Sequence, residues 1–155
     1  YFDTAGCGME ERQDEEGDSR YNEGEADVVM AHCNTLVAAG VRPADIGIIT
    51  PYSAQVAHLR SRRSERLREV EISTVDGFQG REKEAIIISM VRSNDAHEVG
   101  FLADRRRMNV AVTRARRQCC LVANSETCEG DAFLNRLVEY FSEHGDYRSA
   151  EELAH

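Results

Sequence analysis

Long apolar runs are missing from this sequence. The longest blocks, such as Ala85-Ile-Ile-Ile88, are strand-sized and far short of the ~20 residues a membrane span needs. No membrane partner is therefore expected. The five cysteines, Cys7, Cys33, Cys119, Cys120 and Cys128, are odd in number and include no Cys-x-x-Cys pair. They read as reduced thiols of a cytoplasmic or nuclear protein. The histidines are scattered, and no metal site is expected. There is no basic n-region or cleavage site of a secretory signal. The chain opens on Tyr-Phe-Asp-Thr without an initiator Met, so a segment of a longer protein is expected. No Gly-x-x-x-x-Gly-Lys-Ser/Thr occurs, so the backbone cradle for a triphosphate is absent. By itself the chain is not expected to hydrolyse ATP.

What remains is enough for one folded domain. The 155 residues are 41% hydrophobic and 30% charged, a globular composition with a real core. The net charge of −9 is uneven. Residues 9–27 carry nine carboxylates against Arg12 and Arg20. Lys83 is the only lysine; the other cations are arginines, clustered at Arg60–Arg68, Arg105–Arg107 and Arg114–Arg117. Such clusters bind phosphates or simply solvate a helix face. For Arg60–Arg68 both readings stay open.

Strand-like and helix-like segments alternate. A first strand is expected at Tyr1–Thr4, then an acidic, mobile surface loop over about 9–21. Asn22 caps a helix running to Ala39, with Glu25 bonding back to the cap's N–H, and Gly40 ends it. Ile46–Thr50 is a strand, Ser53–Leu67 a helix capped by Ser53, and Val70–Val75 a strand. The turn Asp76–Gly80 follows. Ala85–Val91 reads as a strand buried on both faces. Asp104–Arg116 is a helix, Cys119–Ala123 a strand, and Asp131–Glu143 a helix with the stripe Phe133, Leu134, Leu137, Val138, Phe141. This alternation predicts an α/β, RecA-like domain over 1–145: a mostly parallel sheet covered by helices on both faces. Residues 146–155 read as an extension or linker. Ligands of such sheets gather at the carboxyl ends of the strands, here Thr50–Tyr52, Asp76–Arg81 and Arg92–Asn94.

Three blocks carry the chemistry. Ile48-Ile-Thr-Pro-Tyr-Ser-Ala-Gln55 resembles helicase motif IV. Ser73-Thr-Val-Asp-Gly-Phe-Gln-Gly-Arg-Glu-Lys-Glu84 resembles motif V. Asn109-Val-Ala-Val-Thr-Arg-Ala-Arg116 resembles motif VI. In this order and spacing they resemble the superfamily 1B helicases, the group of the nonsense-mediated-decay helicase. Asp3-Thr-Ala-Gly-Cys-Gly8, Val91-Arg-Ser-Asn94 and Gly100-Phe-Leu-Ala103 narrow the resemblance to one branch. It covers nearly the whole chain and is weakest in the acidic loop.

The resemblance implies the second RecA-like domain of an ATP-driven motor. Its partners are a first RecA-like domain of the same chain and single-stranded RNA or DNA. ATP and Mg²⁺ would be held mainly by the missing P-loop domain. Arg114 is the expected finger, since a planar guanidinium neutralises charge gathering on a γ-phosphate. Glu82 is the acid near the ribose and γ-phosphate, and Gln79 couples nucleotide to nucleic acid. Gln55, Gly80, Arg81 and Arg116 are expected at the nucleotide. Arg116 lies two residues from Arg114 on the expected helix and so braces the fold or the domain interface rather than sharing a phosphate. Ser73, Thr74 and Asn94 are expected to touch the nucleic acid, the first two at its backbone. Tyr52 stacks a base or simply packs. Asp76–Gly80 has the alternative of being only a tight turn. Val56 stands where the decay helicase has a second phosphate-contacting Arg, with Arg60 one turn on. Asp14-Glu15-Glu16 lacks the apolar strand a Walker B box needs. Two rivals remain: a non-catalytic binding module, and a degenerate RecA-like scaffold. Motif VI argues against the first, since a pure binder has no use for a finger arginine, and Gln79, Glu82 and Arg114 argue against the second.

Overall fold

A computed structural model describes residues 1–13, 19–78 and 82–153. The strands are β1 (Phe2–Asp3), β2 (Arg12–Gln13), β3 (Arg20–Tyr21), β4 (Ile46–Thr50), β5 (Glu71–Thr74), β6 (Lys83–Ser89), β7 (Ala115–Ala123) and β8 (Arg148–Ser149). The helices are α1 (Glu23–Ala38), α2 (Ser53–Arg62), α3 (Arg105–Val112), α4 (Ser125–Cys128) and α5 (Ala132–His144). The main sheet has the order β5-β4-β6-β7-β1-β8, and each described pair in it is parallel. This is the expected α/β, RecA-like fold.

The strands alternate their apolar side chains between two layers, as a period of two requires. Ile46, Ile48, Ile87, Cys120 and Val122 face α1 and α2. Ile49, Ile86, Ile88, Leu121 and Ala123 face α3 and α5, where Met108, Leu134 and Val138 complete the layer. Ile86, Ile87 and Ile88 are all fully buried, so β6 is the central strand its unbroken apolar run implied.

Several boundaries differ from expectation. Helix α3 stops at Val112, not Arg116, and the chain from Ala115 already belongs to β7. Arginine is a good helix former, but pairing to β6 wins: Lys83 N donates to Arg114 O at 3.0 Å and Lys83 registers with Ala115. Helix α2 stops at Arg62 rather than Leu67, and its cap is Tyr52, whose side chain makes no capping bond. The hydroxyl of Ser19 accepts from Ala54 N instead, at 3.0 Å. Asn22 does cap α1, taking Glu25 N at 2.9 Å. The return bond from Glu25 is not made; Gln55 Oε1 accepts from Asn22 N and the Glu25 carboxylate turns into the core. The described ends of the acidic loop are paired, Arg12 with Tyr21 and Gln13 with Arg20. The tail beyond 145 adds β8 beside β1, and Ala150 is buried.

Candidate nucleotide and nucleic-acid site

The expected site residues fall at two opposite ends of the sheet. At the amino ends of β6 and β7, the Lys83–Arg114 backbone bond brings Arg114 and the chain next to Glu82 to the same end of the sheet. Arg114 is half-buried, and its Nη2 donates to Thr113 Oγ1 at 3.3 Å. Glu82 is exposed and faces Arg116 Nε at 3.4 Å. Arg116 also reaches Glu84 at 3.6 Å, and Arg117 reaches the same Glu84 at 3.1 Å. Arg116 therefore lies on a strand, so helical spacing does not govern its relation to Arg114. Its guanidinium spans β7 and β6 as a cross-strand ion pair. Gln79, Gly80 and Arg81 lie outside the described residues.

Ser73, Thr74, Tyr52 and Asn94 lie at the carboxyl ends instead. Strand β6 has seven residues, so the two groups are about 20 Å apart by strand rise. Ligands were expected to gather at the carboxyl ends of the strands; Arg114 and Glu82 lie at the amino ends. Residues 75–82 join the two ends in one crossover from β5 to β6. Phe78 is buried midway and crosses β4 at Gly47, where an added Cβ would meet its ring at 2.5 Å. Helix α3 runs beside it: Arg107 pairs with Asp76 at 3.2 Å near one end, and Arg114 follows the other.

At the carboxyl ends, internal contacts claim several expected ligands. Tyr52 is 2% exposed and cannot stack a base in this conformation. Its hydroxyl accepts from Arg92 Nη1 at 3.2 Å, and its ring lies against Phe101, with centroids 5.3 Å apart. Gln55 is fully buried; its amide donates to Asn22 O and Ser89 Oγ, so it cannot reach a nucleotide. Asn94 is half-buried, donating to Glu11 Oε1 at 2.7 Å and accepting from Glu98 N. Ser73 and Thr74 remain half-exposed, and Thr74 Oγ1 accepts from Gly77 N at 3.3 Å. The Arg60–Arg68 cluster is mostly committed internally: Arg60 to Ile72 O, Arg63 to Val70 O, Arg62 to Asp27 and Arg68 to Glu65.

Two arrangements were invisible in the sequence. Glu11 is the hub of the first. Its Oε1 accepts from Arg92 Nε, Ser93 N and Asn94 Nδ2, and its Oε2 from Arg20. Burial pushes its pKa up, but those donors and the Arg92 charge outweigh it and hold the carboxyl below its usual range. Arg92 is raised in turn: Glu11 and Tyr52 overcome the desolvation that lowers it. The acidic segment is thereby pinned to the loop after β6.

The second arrangement surrounds Glu25, which is wholly buried. Its Oε1 accepts from Ser89 Oγ at 2.7 Å and Val91 N at 2.8 Å. Burial lifts its pKa to about 7, against the lowering effect of those bonds. Val91 has φ of +71°, and Arg92 N bonds Met90 O at 2.8 Å, a strained γ-turn. A β-branched residue there costs about 1–3 kcal/mol and persists only when over-determined. Glu25 on its N–H and Asn22 Nδ2 on its carbonyl supply the restraint.

An AAA domain family model (AAA_12) matches residues 1–126. The chain belongs to this family and, within it, to the superfamily 1B helicases. It is 53% identical over 151 residues to DNA-binding protein SMUBP-2 of Rattus norvegicus, covering 97% of this chain and 15% of that protein. DNA polymerase alpha-associated DNA helicase A of Saccharomyces cerevisiae is 46% identical, covering 96% of this chain and 22% of that protein. A regulator of nonsense transcripts 1 homolog from Neurospora crassa is 41% identical, covering 80% and 12%. The chain thus spans under a quarter of each of these relatives. Among the described residues no helix is long and apolar enough to cross a membrane.

Proposed function

We propose that this chain is the second RecA-like motor domain of an ATP-dependent helicase. It supplies Arg114 and Glu82 to ATP held on a P-loop domain elsewhere in the same protein. Its relatives include proteins named as helicases, one of them ATP-dependent by name. The observation that carries the reading is the Lys83–Arg114 backbone bond, which joins the ends of motifs V and VI at the amino end of the sheet. A half-buried cation and an exposed carboxylate at the same end of the sheet suit the outer edge of a nucleotide. Arg114 would neutralise charge on the γ-phosphate oxygens in the transition state, and Glu82 would accept from sugar hydroxyls. ATP supplies the free energy that closes the two domains; Mg²⁺ and most of the triphosphate belong to the P-loop domain, whose fingerprint this sequence lacks.

Ser73 and Thr74 would hold the backbone of single-stranded RNA or DNA. They open the segment that ends at Glu82, so strand-bound and nucleotide-bound states bear on one stretch of chain. Gln79, Gly80 and Arg81 complete that segment, with Gln79 as the coupling residue and Gly80–Arg81 at the nucleotide. Arg116 is assigned to bracing Glu82 and Glu84 rather than to a phosphate. A cytoplasmic or nuclear location would suit this substrate class. ATP turnover by the whole protein, measured with and without single-stranded nucleic acid, tests the reading. Turnover stimulated by the strand is expected; a whole protein with no strand-dependent turnover contradicts it.

A further inference from the structure

Three large apolar side chains are notably exposed among the described residues: Phe101, Tyr140 and Tyr147. Phe101 alone stands at the carboxyl rim, beside the Tyr52 that the sequence suggested as a base-stacking residue. Tyr52 lies beneath Phe101: the rings are tilted by 31°, and Phe101 remains 52% exposed. The support is rigid. Phe101 N donates to Tyr52 Oη at 3.3 Å, Arg92 Nη1 donates to the same oxygen, and Glu11 holds Arg92. Gly100 makes the approach possible. Its φ is +54°, and an added Cβ would meet the Arg92 guanidinium and, at 2.8 Å, Tyr52 Oη. The chain is built to present this ring outward.

We propose that Phe101 is the stacking platform for one base of the single-stranded nucleic acid, an assignment that rests on the function proposed above. The exposed neighbours are Glu98, Ala103, Asp104, Arg105 and Arg106, so the apolar area is one ring in polar surroundings. That matches a single nucleobase. It falls far short of the ~800 Å² per partner of a stable protein interface. Arg107 is paired with Asp76 and Asp104, while Arg105 and Arg106 are exposed and suit flanking phosphates. Arg107 reaches Asp76, two residues past Thr74, which keeps the platform and the hydroxyls of β5 on one rim. Stacking on an aromatic face tolerates any base, as a motor that reads no sequence needs.

The test uses the whole protein and a set of single-stranded oligonucleotides, each abasic at one position, in anisotropy titrations. Wild type is expected to lose about tenfold in affinity for the oligonucleotide whose abasic position meets Phe101. Phe101→Leu keeps an apolar contact to Tyr52 but removes the π-face. It is expected to lose about the same on the intact strand and nothing further on that abasic strand. Phe101→Trp is expected to restore binding and its sensitivity to the missing base. Equal losses by Phe101→Leu on intact and abasic strands at every position would show a structural or domain-contact role and overturn the proposal. Unchanged affinity overturns it too. If wild type binds no single strand at all, it is the helicase reading that fails.

Discussion

Glu25 shows how much one buried side chain organises. It is wholly buried, yet it holds Ser89, the N–H of the strained Val91 and, through Ser89, Gln55. Its pKa stands at about 7 against 4.5 for an ordinary glutamate, because burial disfavours the carboxylate. The folded chain therefore binds this proton more tightly than the unfolded chain. Stability from this group is full below pH 4.5 and is lost as the pH rises towards 7. His32 acts in the opposite sense, since burial lowers its pKa. The useful quantity is thus the difference between wild type and Glu25→Gln. The variant is expected to lose the Glu25 part of the decline in Tm between pH 5 and 8, measured by calorimetry. Parallel pH profiles for the two proteins would show that Glu25 is not the titrating group.

At the scale of elements, the caps and crossovers decide where chemistry lands. Asn22 both caps α1 and closes two loops, donating to Met9 O and Val91 O from a fully buried side chain. Asn22→Ala should cost about 2–4 kcal/mol, one lost cap plus buried carbonyls left unpaired. Urea unfolding measures it; a loss under about 1 kcal/mol would mean the network relaxes around the gap. Elements with strong periodicity or clean caps were legible beforehand: the stripe of α5, the Asn22 cap and the unbroken run of β6. The end of α3 was not, because Arg114–Arg117 are good helix formers and only the partner strand tells them to extend. Nor was the base of the acidic hairpin. Glu11 looks like one more solvated acid until Arg92, 81 residues away, is brought to it. The burial of Tyr52 and Gln55 depends on the same long-range contacts. That Arg114 and Glu82 fall at the same end of the sheet was not legible either, because it depends on the pairing of β6 with β7.

At the scale of the whole molecule, the proposed function makes this chain half of a motor. The residues proposed for the nucleotide, Arg114 and Glu82, and those proposed for the nucleic acid, Ser73 and Thr74, sit at opposite ends of the sheet. The 155-residue chain alone is expected to release no phosphate from ATP, with or without single-stranded nucleic acid, because it has no P-loop. Its own binding to a strand should be weak and fall steeply with salt, since the net charge is −9 and what attraction exists is arginine to phosphate. Phosphate release by the purified chain that survives removal of contaminating ATPases would contradict the division of labour between two domains.

The central claim is that Arg114 acts on the transition state from the edge where β6 and β7 begin. Its most direct test is steady-state ATP turnover by the whole protein carrying Arg114→Ala, beside nucleotide affinity and circular dichroism. A finger contributes ~10³–10⁵ in rate in other nucleotide hydrolases. Turnover should fall by at least about a hundredfold while the fold and most of the ATP affinity persist, because the P-loop supplies ground-state binding. Arg114→Lys should fall nearly as far, since an ammonium lacks the forked geometry. Arg116→Ala, which breaks a surface ion pair, should lose far less. Near-wild-type turnover in Arg114→Ala, or a larger loss in Arg116→Ala, would contradict the account.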